Sequence, residues 1–235
     1  MNIKNLLDES LKKEQDSRKD RKRSGKFSPS SLGKCYRAQI WNRMAVEQSN
    51  PPDERTLRVF AAGHLFHEFV QKLIPNKQVE VKIEDENFLG FADIVTDNMV
   101  IDLKSQHSRA FWYMNQNKTE TSKEHMDRFI RSKMPNILQT TFYAWKLKKE
   151  FIKIAFISKD DLCIEEYSFT TAEFIHPLLE EIETLRKYWK NKILPPAKPR
   201  CYFDKKTGTC RECQYCNFLN RCKKETKQEV SNESK

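Results

Sequence analysis

Two aspartates and a lysine interrupt an otherwise apolar stretch, GFADIVTDNMVIDLKS, at residues 90–105. The Asp-Asn pair at 97–98 tolerates positive φ and predicts a two-residue hairpin turn. Counting outward from that turn places Asp93 directly opposite Asp102, where like charges destabilise a strand pair unless a cation lies between them. The pair is costly for a purely structural hairpin and well suited to a metal ion.

Alternation along the second strand places Lys104 on the face of Asp102, whereas Ile101 and Leu103 point to the opposite face, into apolar packing. Carboxylate oxygens suit Mg²⁺ or Mn²⁺, which activate water, and an ammonium group stabilises charge that develops on phosphorus. The arrangement is typical of phosphodiester cleavage. The alternative is a surface hairpin with an ordinary Asp–Lys salt bridge, and a one-residue slip of the turn would break the facing geometry.

Two predicted helices carry further polar side chains that are able to join such a site. Gly63 and His67 share one face of RTLRVFAAGHLFHEFVQKLI, where the glycine leaves room beside an imidazole that can ligate Mn²⁺. Gln139 and Tyr143 share a face of the helix in NILQTTFYAW. Taken singly, the histidine is better explained as hydrogen-bonded or solvent-facing, and the Gln–Tyr pair as packing. The helix in RTLRVFAAGHLFHEFVQKLI is also predicted to carry an apolar stripe, at positions 57, 60, 61, 65, 69 and 73.

Composition and charge exclude several classes of protein. The 235 residues include 43 Lys and Arg against 33 Asp and Glu, a net charge of +10 that suits nucleic acid or a solvated basic surface. No apolar run approaches the ~20 residues of a membrane span, and the N-terminus is charged where a signal peptide is apolar, so an intracellular protein is expected. The five glycines form no phosphate-binding loop, which excludes ATP hydrolysis of that type.

The predicted elements are two helices, a three-stranded meander, a helix, a strand pair and a helix. This order predicts an α/β fold with a mixed central sheet flanked by helices. Strands are expected at 78–84, 88–96 and 99–104, and a capped helix is expected to open at Ser30 or Ser31. The predicted organisation is a basic arm, a core, a cysteine-rich segment and a flexible tail, at 1–27, 28–200, 201–225 and 226–235.

A Gly-x-x-x-His helix, an Asp, an Asp-x-Lys strand and a Gln-x-x-x-Tyr helix in this order resemble the RecB-type nucleases of the PD-(D/E)XK superfamily. The match spans residues 63–143, and the second acid is Asp102 where many members carry Glu. The resemblance implies a restriction-endonuclease-like fold with Asp93, Asp102 and Lys104 as catalytic residues. It further implies metal binding by His67, Asp93, Asp102 and the Leu103 carbonyl, and DNA contact or site support by Gln139 and Tyr143.

The segment CYFDKKTGTCRECQYCNFLNRC, residues 201–222, holds five of the seven cysteines, and the last four are spaced C-x2-C-x2-C-x5-C. In a reducing compartment such crowding indicates a metal. Zinc and an iron–sulfur cluster both accept four thiolates, and spacing alone does not choose between them. With Cys35 far upstream, the pattern is similar to iron–sulfur nucleases of the same superfamily, including the CRISPR-associated exonuclease and the AddB nuclease domain. That resemblance implies a [4Fe–4S] cluster on Cys35, Cys213, Cys216 and Cys222, with Cys201 and Cys210 spare.

The resemblance implies a Mn²⁺- or Mg²⁺-dependent exonuclease that degrades single-stranded DNA from 5′ to 3′. It also implies a prokaryotic cytoplasm or a phage as the source, with CRISPR adaptation or recombination proteins as partners. The alternatives are a structure-selective endonuclease with the same site, or a non-catalytic zinc protein that binds nucleic acid. Lys34, Arg37 and the basic arm are expected either to neutralise phosphates or to form a solvated basic rim. Phe111, Trp112 and Tyr113 are interpreted as buried core in preference to a surface that stacks on bases.

Overall fold

A computed structural model of the chain describes residues 1–20, 24–75, 77–115, 121–197, 203–204 and 209–233. A mixed five-stranded sheet flanked by helices confirms the predicted α/β fold class. The residues group into two compact units: a sheet unit of residues 28–32 and 60–182, and a cysteine unit of residues 1–27, 33–59 and 183–235. The domain boundaries drawn from the sequence group the residues differently and stay a prediction.

The strands are β1 (Gln78–Glu84), β2 (Leu89–Val95), β3 (Met99–Gln106), β4 (Phe151–Ser158), β5 (Ile164–Thr170), β6 (Phe203–Asp204) and β7 (Thr209–Cys210). The α-helices are α1 (Ile3–Asp20), α2 (Tyr36–Arg43), α3 (Glu54–Leu73), α4 (Ser108–Asn115), α5 (Ser122–Leu147), α6 (Thr171–Lys190), α7 (Arg211–Gln214) and α8 (Leu219–Glu233). In the described residues, no helix is both long enough and apolar enough to cross a membrane.

The five strands of the main sheet lie in the order β1-β2-β3-β4-β5. All neighbours are antiparallel except β3 and β4, which are parallel. The predicted turn at 97–98 is confirmed, because the Thr96 N–H donates to the Met99 carbonyl at 2.9 Å and Val95 pairs with Val100. A parallel pair needs a long crossover connection, and the chain that contains α4 and α5 supplies it between β3 and β4.

Helix α5 is the long element of that crossover, and it packs against β3 and β4. Thr121 and Glu124 form a capping box that satisfies the first free N–H groups, as a capping box does in general. The helix ends at Lys148, whose backbone adopts the left-handed conformation with φ 54°. The ring of Phe142 packs 4.9 Å from that of Phe88 and fixes the rotation of the helix on the sheet.

The face that α3 turns to the sheet differs from the predicted apolar stripe. Phe66 and Val70 pack against the buried side chains of Ile94 and Leu103. The stripe predicted from spacing is wrong, because four of its six members are between 47 and 67% exposed, namely Phe60, Leu65, Phe69 and Leu73. Apolar residues occur on more than one side of this helix, so spacing alone did not identify the side that packs on the sheet.

Within the cysteine unit, α2 packs against the C-terminal segment. Trp41 lies 5.4 Å from Phe218, measured between ring centroids. The helix begins at Tyr36 with Cys35 as its N-cap, so the predicted opening at Ser30 or Ser31 is wrong. A short 3-10 turn at Pro29–Ser31 takes the place of that opening.

Candidate functional site

Strands β2 and β3 separate where the two acidic side chains lie. Their ladder ends at the pair Ile94–Ile101, so the predicted backbone pairing of Asp93 with Asp102 is wrong. The Leu103 N–H instead donates to the Asp93 carboxylate, Oδ2, at 2.8 Å. A carboxylate side chain has thus replaced a main-chain carbonyl as the acceptor of this N–H. The two carboxylates still interact electrostatically, as counting from the turn predicted.

Gln71 of α3 occupies the other side of Asp93 and was missed by the sequence analysis. The ladder between β1 and β2 omits the facing pair Glu80 and Asp93, and Glu80 has a positive φ of 50°. The Gln71 amide donates to the Asp93 carbonyl at 3.0 Å and to Glu80 Oε1 at 2.9 Å. Only 8% of Gln71 is exposed. Its position four residues after His67 is a signal that would have placed it on the same helical face.

Asp102 is the most deeply buried charged group of the site, with 2% of its surface exposed. Its Oδ1 accepts a hydrogen bond from Lys104 Nζ at 2.7 Å, whereas its buried Oδ2 has no hydrogen-bond partner among the described residues. The pKa of Asp102 is raised to about 6, mainly by burial; the charge of Lys104 opposes this rise and the charge of Asp93 adds to it. Burial opposes the charged form of Lys104, but the two carboxylates outweigh it and raise the Lys104 pKa.

His67 lies on the same side of the site as Asp93. Its Nδ1 is 3.8 Å from Asp93 Oδ2. Burial, followed by the positive charge of Lys104, lowers the pKa of His67. The imidazole is therefore neutral at neutral pH, which is the form that ligates metals. Burial also raises the pKa of Asp93.

Gln139 and Tyr143 of α5 lie together beside the two carboxylates. The Tyr143 oxygen accepts hydrogen bonds from the Gln139 side chain and the Phe91 N–H, which leaves the phenol hydrogen free to be donated. Burial, and then the charges of Asp102 and Asp93, raise the pKa of Tyr143, so it stays a neutral hydrogen-bond donor.

The glycine that gives room to this site is Gly90, not Gly63. A Cβ at Gly90 would lie 2.5 Å from the Tyr143 hydroxyl oxygen and 2.8 Å from Pro29 Cδ. A Cβ at Gly63 would meet only Ser105 Oγ, at an ordinary contact distance of 3.5 Å. The predicted need for space beside His67 is therefore not supported by the packing.

The donor set fits a divalent cation in its chemistry. Asp102 supplies a buried carboxylate oxygen without a partner among the described residues, and His67 supplies a neutral imidazole. In the part of the chain that the structure describes, no three or more His, Cys, Asp or Glu side chains already surround one point at ligand spacing. The ammonium group of Lys104 lies against Asp102 instead, so a cation would bind with side-chain readjustment.

A second set of groups lies in the cysteine unit. Free thiols are carried by Cys35, Cys213, Cys216 and Cys222. Burial, then the nearby thiols, raise the pKa of Cys213 to about 11. The Cys35 N–H donates to Glu212 Oε1 at 2.6 Å, which ties the start of α2 to α7. Cys210 is disulfide-bonded and so is not a ligand, and Cys201 lies outside the described residues.

Two sequence-based expectations about DNA contacts are overturned. Arg37, expected at phosphates, is 2% exposed, and its Nε donates to the Pro195 carbonyl at 2.6 Å inside the cysteine unit. Trp112 and Tyr113, interpreted as core, are 52% and 62% exposed. Arg37 therefore braces packing, while the two aromatic side chains face outward.

No family model matches the sequence, and no curated protein sequence matches it. The crystal structure of SSO0001 is 18% identical and aligns over 93% of this chain and 95% of that chain, with a TM-score of 0.53. LHK-Exo, an alkaline exonuclease from Laribacter hongkongensis, aligns at 14% identity over 72% of this chain and 93% of its own, with a TM-score of 0.37. Its complex with dAMP aligns at 12% identity over the same shares, with a TM-score of 0.42. The similarity to SSO0001 is one of fold.

Proposed function

We propose that the chain is a metal-dependent nuclease that hydrolyses phosphodiester bonds of single-stranded DNA as an exonuclease. One observation carries the proposal. Where β2 and β3 separate, the buried carboxylate of Asp102 and the partly buried carboxylate of Asp93 interact electrostatically beside an ammonium group and a neutral imidazole, and one oxygen of Asp102 has no partner among the described residues.

An ordinary salt bridge does not account for Asp102. A buried carboxylate loses hydration energy that a single ammonium contact regains only when the remaining oxygen is also satisfied. At neutral pH the Asp102 carboxylate is ionised, because its raised pKa is about 6. A divalent cation compensates both the excess charge and the unpartnered oxygen.

His67, Asp93, Asp102 and the Leu103 carbonyl would hold the cation, as the resemblance to RecB-type nucleases implies. Bound Mg²⁺ or Mn²⁺ supplies Lewis-acid activation of a water and neutralises phosphate charge. Lys104 keeps 27% of its side chain exposed, so its ammonium group can contact a phosphate and stabilise the negative charge that develops there. Tyr143 would be able to donate its phenol hydrogen to a bound phosphate, with Gln139 hydrogen-bonded to its oxygen.

DNA as the substrate is supported by the net charge of +10. The preference for single strands, the 5′ to 3′ polarity and the partnership with CRISPR adaptation or recombination proteins rest on the resemblance alone. A structure-selective endonuclease would use the same groups. Circular single-stranded DNA separates the two, because an exonuclease leaves a substrate without ends intact.

A [4Fe–4S] cluster on Cys35, Cys213, Cys216 and Cys222 is part of the proposal. When these thiols lose their protons, their negative charges repel one another. A bound cationic cofactor would relieve that repulsion. Zinc would satisfy the same four ligands. Iron and sulfide analysis of anaerobically purified protein distinguishes them, since stoichiometric zinc without iron would contradict the cluster.

The test of the nuclease is Lys104→Ala, with Lys82→Ala as the matched control on the exposed face of β1. End-labelled single-stranded DNA is incubated with each protein and Mn²⁺, and folding is checked by circular dichroism. Loss of an electrostatic stabiliser lowers the rate by about 10²- to 10³-fold. We expect that loss for Lys104→Ala only. Equal rates for Lys104→Ala and the unaltered chain would reject the proposed role.

A further inference from the structure

We infer that helix α4 is a platform on which unpaired bases of the substrate strand stack, with Trp112 and Tyr113 as the stacking side chains. The inference rests on the proposed function, because it names how single-stranded DNA is held next to the site. The two rings are 52% and 62% exposed. Their centroids are 5.3 Å apart with an interplanar angle of 77°, so the two rings contact each other edge to face and present two adjacent aromatic side chains.

The opposite side of α4 is fixed to the sheet. Met114 is 8% exposed, and its sulfur accepts from the Gln106 side chain of β3 at 3.9 Å. The Phe111 N–H donates to the His107 carbonyl at 3.0 Å, and α4 also packs against β4. The buried Met114 thus anchors the helix with the aromatic pair facing outward. A helix that is already anchored loses little conformational entropy when a ligand binds.

The platform follows directly from the strand that carries Lys104. From Lys104 to His107 the chain advances three residues, about 10 Å in extended conformation. That distance corresponds to about three stacked nucleotides at 3.4 Å each. A strand that places one phosphate at Lys104 and runs along β3 therefore reaches the start of α4, the helix that carries Trp112 and Tyr113, after about three nucleotides.

A cleft of about 720 Å³ lies beside the rings. Its volume is in the range of about 300–1,000 Å³ that small-molecule sites occupy, enough for a nucleobase. Arg109 lines it and is exposed, which places a cation where a phosphate of a bound strand would run. His107 also lines the cleft, and its Nδ1 accepts from the Arg109 N–H at 3.1 Å. Asp161 also lines the cleft, with its carboxylate accepting from the Cys163 N–H at 3.2 Å.

Single-stranded DNA suits this surface better than duplex DNA or a protein. Stacking needs exposed base faces, which a paired duplex buries inside its own stack. The exposed Arg109 next to exposed aromatic rings matches a strand that alternates phosphates and bases. An apolar protein partner would not use the guanidinium group of Arg109 in the cleft.

The experiment measures binding without cleavage. Trp112→Ala and Tyr113→Ala are each combined with Lys104→Ala, and the Kd for labelled oligothymidylate is determined by anisotropy. Removal of one stacking ring weakens binding by about 5- to 150-fold. Phe69→Ala, which truncates a 47% exposed ring on α3, is the matched control and is expected to leave the Kd unchanged. Trp112→Phe should restore most of the affinity, because it restores a stacking face.

Unchanged Kd values in both alanine variants would overturn the platform. An equal loss of affinity for duplex DNA would also overturn it, since stacking on paired bases is not available. The proposed nuclease can fail separately, because the binding comparison is made in EDTA, where a Lys104→Ala protein that still cleaves with Mn²⁺ would leave the oligonucleotide intact.

Discussion

The carboxylate site of the sheet unit and the thiol group of the cysteine unit are organised in different ways. Asp93 and Asp102 are held by the Leu103 N–H and the Lys104 ammonium group. Burial is the main cause that raises the pKa values of the Cys35 and Cys213 thiols, and the negative charge of Glu212 adds to it. The protein itself positions and partly neutralises the carboxylates, whereas the thiols would gain stability from the proposed cofactor.

The largest predicted effect is on the thiol group. Cys35→Ser should abolish cofactor binding and lower stability by an amount on the order of 10 kcal/mol, as for structural metals, because ligand binding there is folding energy. Removal of Mn²⁺ from the carboxylate site by EDTA should cost at most about 3 kcal/mol, the linkage expected at 100 times Kd. Thermal melts with metal analysis measure both.

Cys163→Ser is the control for that comparison, because Cys163 is an exposed free cysteine outside the thiol group. Its melting temperature should match that of the unaltered chain. A Cys35→Ser protein that melts normally, or an EDTA effect larger than the cysteine effect, would reverse the contrast between the two regions.

A pair of glycines tests whether packing preorganises the carboxylate site. Gly90→Ala inserts a methyl group 2.5 Å from the Tyr143 hydroxyl oxygen, and overpacking of this kind costs about 1–3 kcal/mol. Gly63→Ala meets ordinary contacts inside a helix, where alanine is favoured by about 0.5–1 kcal/mol. Urea unfolding and DNA cleavage should both show a loss for Gly90→Ala alone. A tolerated Gly90→Ala would mean that Tyr143 shifts freely.

Much of this site was accessible from the sequence. The alternation of apolar and charged residues, counted from the turn at 97–98, correctly predicted the register of β2 and β3 next to the turn. The spacing of Gln139 and Tyr143 correctly predicted that they share a helical face. These predictions depend on local periodicity, which the order of residues records directly.

Other features depend on tertiary packing, which periodicity does not record. The role of Gln71 arises because the β1–β2 ladder is interrupted at Glu80, and that interruption leaves a main-chain acceptor for a side chain to satisfy. The burial of Arg37 contradicts the usual exposure of charged residues. Trp112 is exposed because Met114 supplies the buried anchor of its short helix.

Gln71→Leu sharpens the account of how the carboxylates are positioned. The variant keeps the volume but leaves the buried Asp93 carbonyl without its donor, at a cost of about 1–3 kcal/mol. Loss of a supporting contact of this kind also lowers metal affinity by about 10- to 100-fold. Manganese titration and urea unfolding measure these effects. Gln78→Leu, at an exposed position of β1, should change neither; a normal manganese affinity in Gln71→Leu would reject the positioning role.

The smallest predicted effect is the pH dependence of manganese binding at the carboxylate site. The cation competes with the proton on Asp102, whose pKa is raised to about 6 mainly by burial. Above that pH the carboxylate is already ionised and affinity levels off; below it, affinity should fall about tenfold per unit as a proton must first leave. Asp102→Asn should weaken binding and remove this dependence, as calorimetry from pH 5 to 8 would show. Affinity in the unaltered chain that stays constant across pH 6 would place the cation elsewhere. The Cys213 thiol, with a pKa of about 11, should instead release its proton on cofactor binding throughout that range.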